Sequence, residues 1–462
     1  VCFTLLHFTL PYLLGNIRTS VEWDDWRNPR TVYNTFNDHN KSMMVSGLFE
    51  YTVRDYYVSF IRNNEKITPE EEKILKENFD NPTVNEKNNY SGILAGKNLV
   101  LIQLESIDNF LITPEIMPTT YELMKNSINF TNHYSFTSGG GSTFNSEYMV
   151  NTGYSTAYNY NLSAYSFSRN DYSYSLPNLL KTYNYVSNAF HMNTGEYYSR
   201  TANYKSFGYN NFYSLKNQKV YKENTNYWLD RELILNEEFN KLLFKNENNS
   251  LFMNYIITYS AHMPFNSSKG TCSLLTNIEG LTELECLKLQ AKETDYFIKL
   301  LLEDLAKKDM LKNTVIVAFS DHYLYTLEDK TILDKHKKTD SQLINHTPFF
   351  IWSNGDHKKT IKKINSQLDI LPTILNLMGV DYYQNYYLGS DILSPNYSEL
   401  VFFPDGSWYN GSTYIKDGEY SFGKKLSEEK INQINIDVKR KMMLNDAVMK
   451  SNYFSKINSI RE

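Results

Sequence analysis

The chain carries at positions 313–322 the run Asn313-Thr314-Val315-Ile316-Val317-Ala318-Phe319-Ser320-Asp321-His322. Its apolar centre is rich in β-branched residues and is typical of a strand buried on both faces of a parallel sheet. The apolar run stops at three polar residues. In open α/β sheets, functional side chains gather just beyond the carboxyl ends of the strands. The stretch therefore predicts a parallel sheet and also the edge at which its chemistry lies.

Similar apolar runs recur along the chain, at 98–104, 183–190, 251–259 and 346–352, with a shorter one at 128–133. Helical patterns separate them, at 116–126, 228–244, 287–307 and 369–378. This alternation predicts an α/β fold with a mostly parallel central sheet and helices on both faces. We assign the main domain to 96–395. Short strands within 398–422 and a helix at 427–446 predict a small antiparallel addition, so that 396–462 completes the same domain.

Bulk composition excludes some classes of partner. The chain has 462 residues and a formal net charge of −5, which gives no reason to expect a nucleic-acid partner. Of three cysteines, Cys272 and Cys286 flank a polar segment, and they form either a disulfide or two free thiols. The Tyr- and Asn-rich stretch 151–175 is expected to be a long surface excursion.

The N-terminal 95 residues differ from the rest. Residues 1–15 are apolar but too short to cross a bilayer, which needs about 20 residues. We interpret them as the end of a transmembrane helix whose beginning is missing; a buried start of a soluble domain is the alternative. Residues 16–95 are expected to form a partly helical linker. Within it, Thr68, Pro69 and Glu71 form a capping-box pattern that predicts a helix over 69–79.

Four side chains are expected to converge at the edge of the sheet. Glu105 follows the strand 98–104, and Asp321 and His322 follow the strand at 313–319. Thr143 follows the glycine turn Gly139-Gly140-Gly141, where a helix with Ser142 or Thr143 near its cap can begin. Two carboxylates, an imidazole and a hydroxyl suit Mn²⁺, with Mg²⁺ or Zn²⁺ as alternatives. A bound cation would make the threonine hydroxyl a usable nucleophile.

A second group is expected to face that site. His191 and His262 each follow a strand, and Arg200 lies nine residues after His191. Cationic and imidazole side chains around a metal suit a phosphoryl group, whose oxygens gain charge in the transfer. The alternatives are a surface ion pair for Arg200 and a core histidine for His262.

Residues 96–420 resemble the extracellular catalytic domain of the lipoteichoic acid synthase family, within the sulfatase and alkaline-phosphatase superfamily. The matching motifs, in chain order, are Glu105-Ser106, Gly141-Ser142-Thr143-Phe144-Asn145-Ser146-Glu147, Tyr204-Lys205-Ser206-Phe207-Gly208-Tyr209, His262-Met263-Pro264-Phe265 and Ser320-Asp321-His322. The resemblance implies an alkaline-phosphatase-like fold, attached through a linker to membrane helices that this sequence lacks.

The resemblance also implies an activity at the outer face of a bacterial cell membrane. Mn²⁺ would be held by Glu105, Thr143, Asp321 and His322. Thr143 would take the phosphoglycerol head group of phosphatidylglycerol as a phosphothreonine and pass it to a glycerolphosphate polymer or glycolipid acceptor. The residues implied in substrate binding are His191, Asn193, Tyr198, Arg200 and His262.

Two positions depart from the family pattern, because Tyr198 replaces a common Trp and Asn193 a common Asp. Both belong to the glycerol side of the implied site, so the head group and acceptor stay open. A phosphoethanolamine transferase and a non-catalytic, envelope-binding protein of the same fold are the alternatives. A sulfatase activity is not expected, because the Thr143 turn lacks the Cys/Ser-x-Pro-x-Arg run that sulfatases need.

Overall fold

The computed structural model describes residues 2–18, 24–25, 27–36, 38–61, 67–137, 139, 141–156, 163–215, 229–244 and 250–461. Its helices are α1 (Cys2–Leu13), α2 (Pro29–Thr35), α3 (His39–Tyr56), α4 (Pro69–Phe79), α5 (Pro118–Lys125), α6 (Ser142–Thr152), α7 (Ser163–Ser166), α8 (Leu176–Lys181), α9 (Arg200–Phe207), α10 (Glu232–Leu235), α11 (Glu237–Leu243), α12 (Cys272–Leu275), α13 (Glu283–Lys307), α14 (Thr331–His336), α15 (Ile370–Leu377), α16 (Glu428–Ser451) and α17 (Tyr453–Arg461). Its strands are β1 (Asn98–Leu104), β2 (Ile128–Phe130), β3 (His133–Tyr134), β4 (Tyr185–His191), β5 (Asn211–Ser214), β6 (Leu251–Ile257), β7 (Thr314–Ser320), β8 (Phe349–Trp352), β9 (Lys359–Ile361), β10 (Asn365–Ser366), β11 (Val401–Phe402), β12 (Trp408–Tyr409), β13 (Thr413–Lys416) and β14 (Glu419–Gly423).

The central sheet has eight strands in the order β5-β4-β6-β1-β7-β8-β2-β9. The five from β5 to β7 are parallel, and β8 runs antiparallel to both β7 and β2. Strands β1 and β7 lie in the middle and are buried along their whole length. Their apolar runs therefore occupy the position that the sequence pattern predicts, and the mostly parallel sheet is confirmed.

Helices cover both faces of this sheet, as expected. Successive residues of β1 enter different cores: Leu99 and Leu101 pack on one face, and Val100 and Ile102 on the other. The first core takes side chains from α4, α6, α8, α9, α15 and α16. The second takes them from α5, α10, α11, α13 and α14. The alternation follows from the period of two along a strand.

The C-terminal strands β11 to β14 form a separate antiparallel sheet, which confirms the predicted addition. Helix α4 begins with the predicted capping box between Thr68 and Glu71. It packs on α16, where Lys450 forms an ion pair of 3.0 Å with Glu71. Among the described helices, none is both long and apolar enough to cross a membrane.

Three sequence-based expectations are corrected. The stretch 151–175 is no surface excursion, because Phe167 and Tyr172 are buried in the core, although 157–162 lie outside the described residues. The helix expected at 228–244 is divided into α10 and α11, since Asn236 adopts an extended conformation between them and caps the second. The strand expected at 128–133 is divided into β2 and β3, which join different sheets.

Cys272 and Cys286 form a disulfide, which decides between the two alternatives for these residues. The bond joins α12 to the first turn of α13 across a sequence separation of 14, and both residues are fully buried. The disulfide therefore fixes the loop that follows His262 to α13, the long helix of the second core.

Replacing both cysteines, as Cys272→Ala with Cys286→Ala, should lower the free energy of unfolding by about 3 kcal/mol, since a loop of this length then gains entropy in the unfolded chain. The measurement is a denaturant titration followed by circular dichroism. A reducing agent should shift the midpoint of the parent protein and leave the double variant unchanged. Equal midpoints for all samples would contradict the prediction.

Candidate metal centre and phosphoryl site

Strands β1 and β7 bring the predicted acidic residues together. The two strands pair in parallel and in register, with Leu104 opposite Ser320. Glu105 and Asp321, the next residues along each strand, therefore leave the sheet side by side. Both are buried. A carboxylate oxygen of each and a ring nitrogen of His322 all lie within 4.8 Å of one another.

Thr143 completes the group from the opposite side. Gly141 has φ +92°, in the left-handed region that favours glycine, and α6 begins directly after it. Ser138 and Gly140 of the expected turn lie outside the described residues. Thr143 is thus in the first turn of α6, and its Oγ1 donates to Glu105 Oε2 at 3.2 Å and lies 3.4 Å from His322 Nε2. Gln103 Nε2 donates to the Thr143 carbonyl at 3.0 Å and holds this turn against β1.

Hydrogen bonds fix the orientation of Asp321 and His322. Asp321 Oδ1 accepts from the backbone N–H groups of Ser106 (3.1 Å) and His322 (2.8 Å). His322 Nδ1 lies 2.9 Å from the carbonyl oxygen of Tyr323, which can only accept, so that Nδ1 carries a proton. The other nitrogen, Nε2, therefore faces the cluster, 3.2 Å from Asp321 Oδ2 and 3.5 Å from Glu105 Oε1.

The electrostatics of the cluster fit a bound cation. Burial and the adjacent charge of Glu105 raise the pKa of Asp321 well above its ordinary value. Burial opposes ionisation of Glu105 as well, but the charges of His262 and His322 hold its pKa well below the usual range. Asp321 Oδ2 is buried and accepts no hydrogen bond from any described residue. Two buried carboxylates with an unused acceptor oxygen make a donor set that suits a divalent metal ion.

Arg200 is buried, not at the surface, and is paired with Glu147 of α6. Its Nε lies 3.0 Å from both carboxylate oxygens, and its Nη2 donates to Oε1 at 2.6 Å. Tyr204 donates to the same carboxylate at 3.1 Å. Burial tends to lower the pKa of Arg200, but the Glu147 charge outweighs it and raises the pKa. The guanidinium therefore stays charged, and its Nη1 has no hydrogen bond with any described residue.

Tyr198 connects Arg200 to α6, the helix that carries Thr143. Its ring stacks on Phe144, the neighbour of Thr143, with centroids 5.6 Å apart. The Arg200 guanidinium carbon lies 5.1 Å from the centre of the Tyr198 ring. Burial raises the pKa of the Tyr198 phenol well above its ordinary value, so that the ring is neutral near pH 7. The position at which the sequence departs from the family pattern thus contacts both sides of the site.

His191 and His262 pack against one aromatic ring. His191 meets Tyr259 edge-on at 5.8 Å, and His262 stacks on the same ring at 5.3 Å. His191 Nδ1 lies 3.0 Å from the Ile257 carbonyl. Burial, with the charge of Arg200, lowers the pKa of His191 well below its ordinary value, so His191 is neutral near pH 7. Glu105 interacts electrostatically with both His262 and His191, so the two histidines lie near the acidic cluster.

Asn193 is less closely tied to the site than the other candidates. Its side-chain oxygen accepts from the N–H of Thr194 at 2.8 Å, and its carbonyl accepts from Leu215. Among the described residues, no hydrogen bond or ring contact links its side chain to Thr143 or to Arg200. Its assignment to the glycerol side of the site therefore rests on the sequence motif alone.

Two polar residues that sequence reasoning missed hold the site in place. Gln367 Nε2 donates to Ser146 Oγ, to the Ser320 carbonyl and to the Asp321 carbonyl at 2.8–3.0 Å, and so joins α6 to the end of β7. Asp230 accepts from the backbone N–H groups of Tyr259 and Ser260 and thereby anchors the segment before His262. Burial raises the pKa of Asp230 to about 7. Neither residue belongs to a recognisable sequence pattern.

This arrangement suits group transfer to a hydroxyl. The Thr143 hydroxyl lies against two potential metal ligands, Glu105 and His322. The charged guanidinium of Arg200 and the imidazoles of His191 and His262 lie near this cluster. An oxyanion placed there would meet positive charge in a site from which water is largely excluded, where such interactions are strongest.

The chain is similar in sequence to curated proteins that share one name. The chain is 27% identical to lipoteichoic acid synthase 2 of Bacillus subtilis over 439 residues, which are 89% of this chain and 66% of that protein. It is 27% identical to the Staphylococcus aureus lipoteichoic acid synthase over 418 residues, 87% of this chain and 63% of the relative. The chain thus spans somewhat under two thirds of the length of these curated relatives.

Solved structures share the fold. The lipoteichoic acid synthase LtaP from Listeria monocytogenes superposes with a TM-score of 0.66 at 22% identity, over 84% of this chain and 98% of that one. An alkaline phosphatase superfamily protein from Vibrio parahaemolyticus gives a TM-score of 0.58 at 15% identity, over 85% and 97%. A sequence model described as Sulfatase matches residues 97–380, which is more than half of the chain. The protein therefore belongs to the sulfatase family.

Proposed function

We propose that this protein transfers the phosphoglycerol head group of phosphatidylglycerol to a glycerolphosphate polymer or glycolipid of the bacterial envelope, by way of a phosphothreonine at Thr143. The observation that carries the proposal is the contact of Thr143 Oγ1 with both Glu105 and His322. A threonine hydroxyl in an ordinary helix turn has no need of two such neighbours. The names of the curated relatives support the choice of a phosphoglycerol polymer as the product.

A divalent ion, which we take to be Mn²⁺, would be held by Glu105, Thr143, Asp321 and His322, and when bound it supplies positive charge that favours the threonine alkoxide. The contribution of the chain itself is positional. Gln103 and Gly141 fix the turn that aims Thr143 at the cluster. The N–H groups of Ser106 and His322 hold Asp321 Oδ1, which leaves Oδ2 free to act as a ligand.

Transfer then takes two displacements at phosphorus. Thr143 Oγ forms a bond to the phosphorus of phosphatidylglycerol, the bond to the diacylglycerol oxygen breaks, and that oxygen takes up a proton. A glycerol hydroxyl of the acceptor next attacks the same phosphorus, loses its proton, and releases the Thr143 oxygen. Arg200 binds the phosphoryl oxygens through Nη1, and His262 binds the head group beside it.

We further propose that this chemistry takes place outside the cell, in a catalytic domain of residues 96–395 completed by 396–462. The disulfide between Cys272 and Cys286 supports this location, because disulfides persist in oxidising compartments. In this proposal, residues 1–15 are the end of a membrane helix and residues 16–95 the linker to the membrane.

Thr143→Ala should lower turnover by on the order of a thousandfold or more, because the variant lacks the nucleophile. The assay measures release of diacylglycerol from phosphatidylglycerol vesicles. Thr143→Ser is the matched control, since it keeps the hydroxyl and should retain part of the activity. After incubation of the parent with the donor, mass spectrometry should find a glycerol-phosphate adduct on Thr143. Full activity of Thr143→Ala would rule out the covalent route. If a parallel incubation with phosphatidylethanolamine gave an ethanolamine-phosphate adduct on Thr143 and phosphatidylglycerol gave none, the proposed donor would be wrong.

Removal of divalent ions with a chelator should abolish turnover, and Mn²⁺ should restore it better than Mg²⁺ or Zn²⁺, because the donor set mixes oxygen ligands with one imidazole. Mn²⁺ should also raise the melting temperature of the metal-free protein, since binding to the folded state alone stabilises it. Asp321→Asn should lose most of both effects. Unchanged activity and melting temperature after chelation would count against the metal centre.

Glu147→Gln should lower the free energy of unfolding by about 3 kcal/mol, because it leaves the buried Arg200 charge without its carboxylate. Denaturant titration gives the value. Tyr204→Phe, which removes only one hydrogen bond to Glu147, should cost about 1 kcal/mol. In the double variant Glu147→Gln with Arg200→Gln, the loss should be smaller than the sum of the single losses. Additive losses would show that the two charges do not depend on each other.

A further inference from the structure

The second half of helix α3 has its polar and apolar faces inverted. Gly47 breaks the helical backbone, and residues 48–61 continue beyond it. The charged side chains of this segment point inward. Glu50 is buried and accepts from the Tyr33 hydroxyl at 2.8 Å, and the Arg54 guanidinium lies 3.9 Å from the centre of the Tyr33 ring. The helices of a protein surrounded by water normally turn such groups outward.

The outward side of the same segment is apolar. Leu48, the most exposed of these residues, has 70% of its surface accessible. We call this side the apolar face; its members are Leu48, Phe49, Val53, Tyr56, Tyr57, Phe60 and Ile61, all exposed. Their spacing of one, three and four residues places them on one side of a helix, which also exposes Thr52. None of these seven side chains is charged, but the exposed Arg169 lies at the edge of the face, where its guanidinium carbon is 5.5 Å from the centre of the Phe60 ring and it pairs with Asp55 at 4.0 Å.

The apolar face continues onto α1. The ring of Phe3 stacks on Phe49 with centroids 4.1 Å apart, and His7 contacts Glu50 at 2.9 Å. Helix α1 contains no Asp, Glu, Lys or Arg, and it exposes further large apolar residues, among them Leu5, Phe8 and Leu13. Together the two helices expose an uncharged surface larger than the scattered apolar residues that are usual on soluble proteins.

We propose that α3 lies along the surface layer of a phospholipid bilayer with its apolar face toward the acyl chains. The seven uncharged side chains match hydrocarbon, and the exposed Arg169 at the edge of the face matches the phosphate groups that border the acyl chains. Tyr56 and Tyr57 add amphipathic rings of the kind that collect at membrane–water boundaries. A helix held in this way has its polar side toward the protein, as Glu50 and Arg54 have here.

The start of α3 reaches the substrate side of the site. Asp38 forms an antiparallel bridge with Tyr197, and His39 Nε2 lies 2.9 Å from Ser199 Oγ. These contacts hold the loop that presents Tyr198 and Arg200. This part of the inference rests on the proposed function: a membrane-lying α3 would keep the phosphoryl site close to the head groups of its lipid donor.

The first test is flotation of the 462-residue protein with vesicles of phosphatidylcholine and phosphatidylglycerol. The triple variant Leu48→Gln, Val53→Gln and Tyr56→Gln should bind vesicles at least about tenfold more weakly than the parent, since three apolar side chains no longer enter the lipid. The matched control changes three exposed apolar residues elsewhere, Leu235→Gln, Ile278→Gln and Ile436→Gln, and should bind like the parent. Equal binding of both triple variants would overturn the proposal.

The second test reports position and does not depend on the triple variant folding. Leu48→Trp should show fluorescence that brominated lipid quenches beyond the parent background, whereas Ile436→Trp, at a site 62% exposed, should add none. No added quenching at position 48 would overturn the proposal, as would a dimer in solution that the triple variant dissociates. Thr143→Ala should float like the parent, so that failure of the proposed chemistry leaves this result intact.

Discussion

The in-register pairing of β1 with β7 is the interaction on which the site depends. Because Leu104 lies opposite Ser320, the two chains leave the sheet at the same level, and Glu105 and Asp321 emerge as neighbours in a buried environment. A slip of one residue along either strand would turn one carboxylate to the other side of the sheet. The apolar runs that prevent this slip also fill both cores. The stability of the sheet and the geometry of the candidate metal centre thus depend on the same two strands.

Burying so many polar groups has a free-energy cost that the surrounding hydrogen bonds offset. Each buried donor or acceptor left unsatisfied costs about 1–3 kcal/mol. Backbone groups around the site are satisfied by three polar side chains. Gln103 bonds the backbone at Thr143, Gln367 the backbone at Asp321, and Asp230 the backbone of the segment before His262. Asp321 Oδ2 accepts no hydrogen bond from a described residue, and it lies 3.2 Å from His322 Nε2. A buried carboxylate oxygen without a hydrogen bond, next to a second carboxylate and an imidazole nitrogen, is available as a ligand and fits a bound cation.

The sequence predicted those parts of the site that depend on local pattern. Glu105 and Asp321 follow buried strands, and Thr143 follows a glycine turn, so their meeting can be derived from strand order. The pairing of Arg200 with Glu147 spans 53 residues, and that of Gln367 with Ser146 spans 221. No local period encodes contacts of this range, which explains why the sequence predicts Arg200 as a phosphoryl-binding cation, with a surface ion pair as the alternative, and gives no sign of its buried partner Glu147. The stretch 151–175 was misjudged because its polar composition hides the buried Phe167 and Tyr172.

The orientation of α3 is a second feature that the local sequence pattern does not determine. Apolar residues at helical spacing indicate that one face of the helix is shielded from water. The ordinary interpretation is that this face packs on the rest of the protein. Here the protein takes the other face, because Glu50 and Arg54 find partners in Tyr33 and His7. Those partners lie on α1, which the sequence analysis assigns to a membrane helix, and on α2, which it assigns to the linker. A core-facing helix therefore differs from a membrane-lying one in where the partners of its charged side chains lie. That location is a tertiary property. The sequence alone does not show it, and the orientation of α3 becomes visible only in the folded molecule.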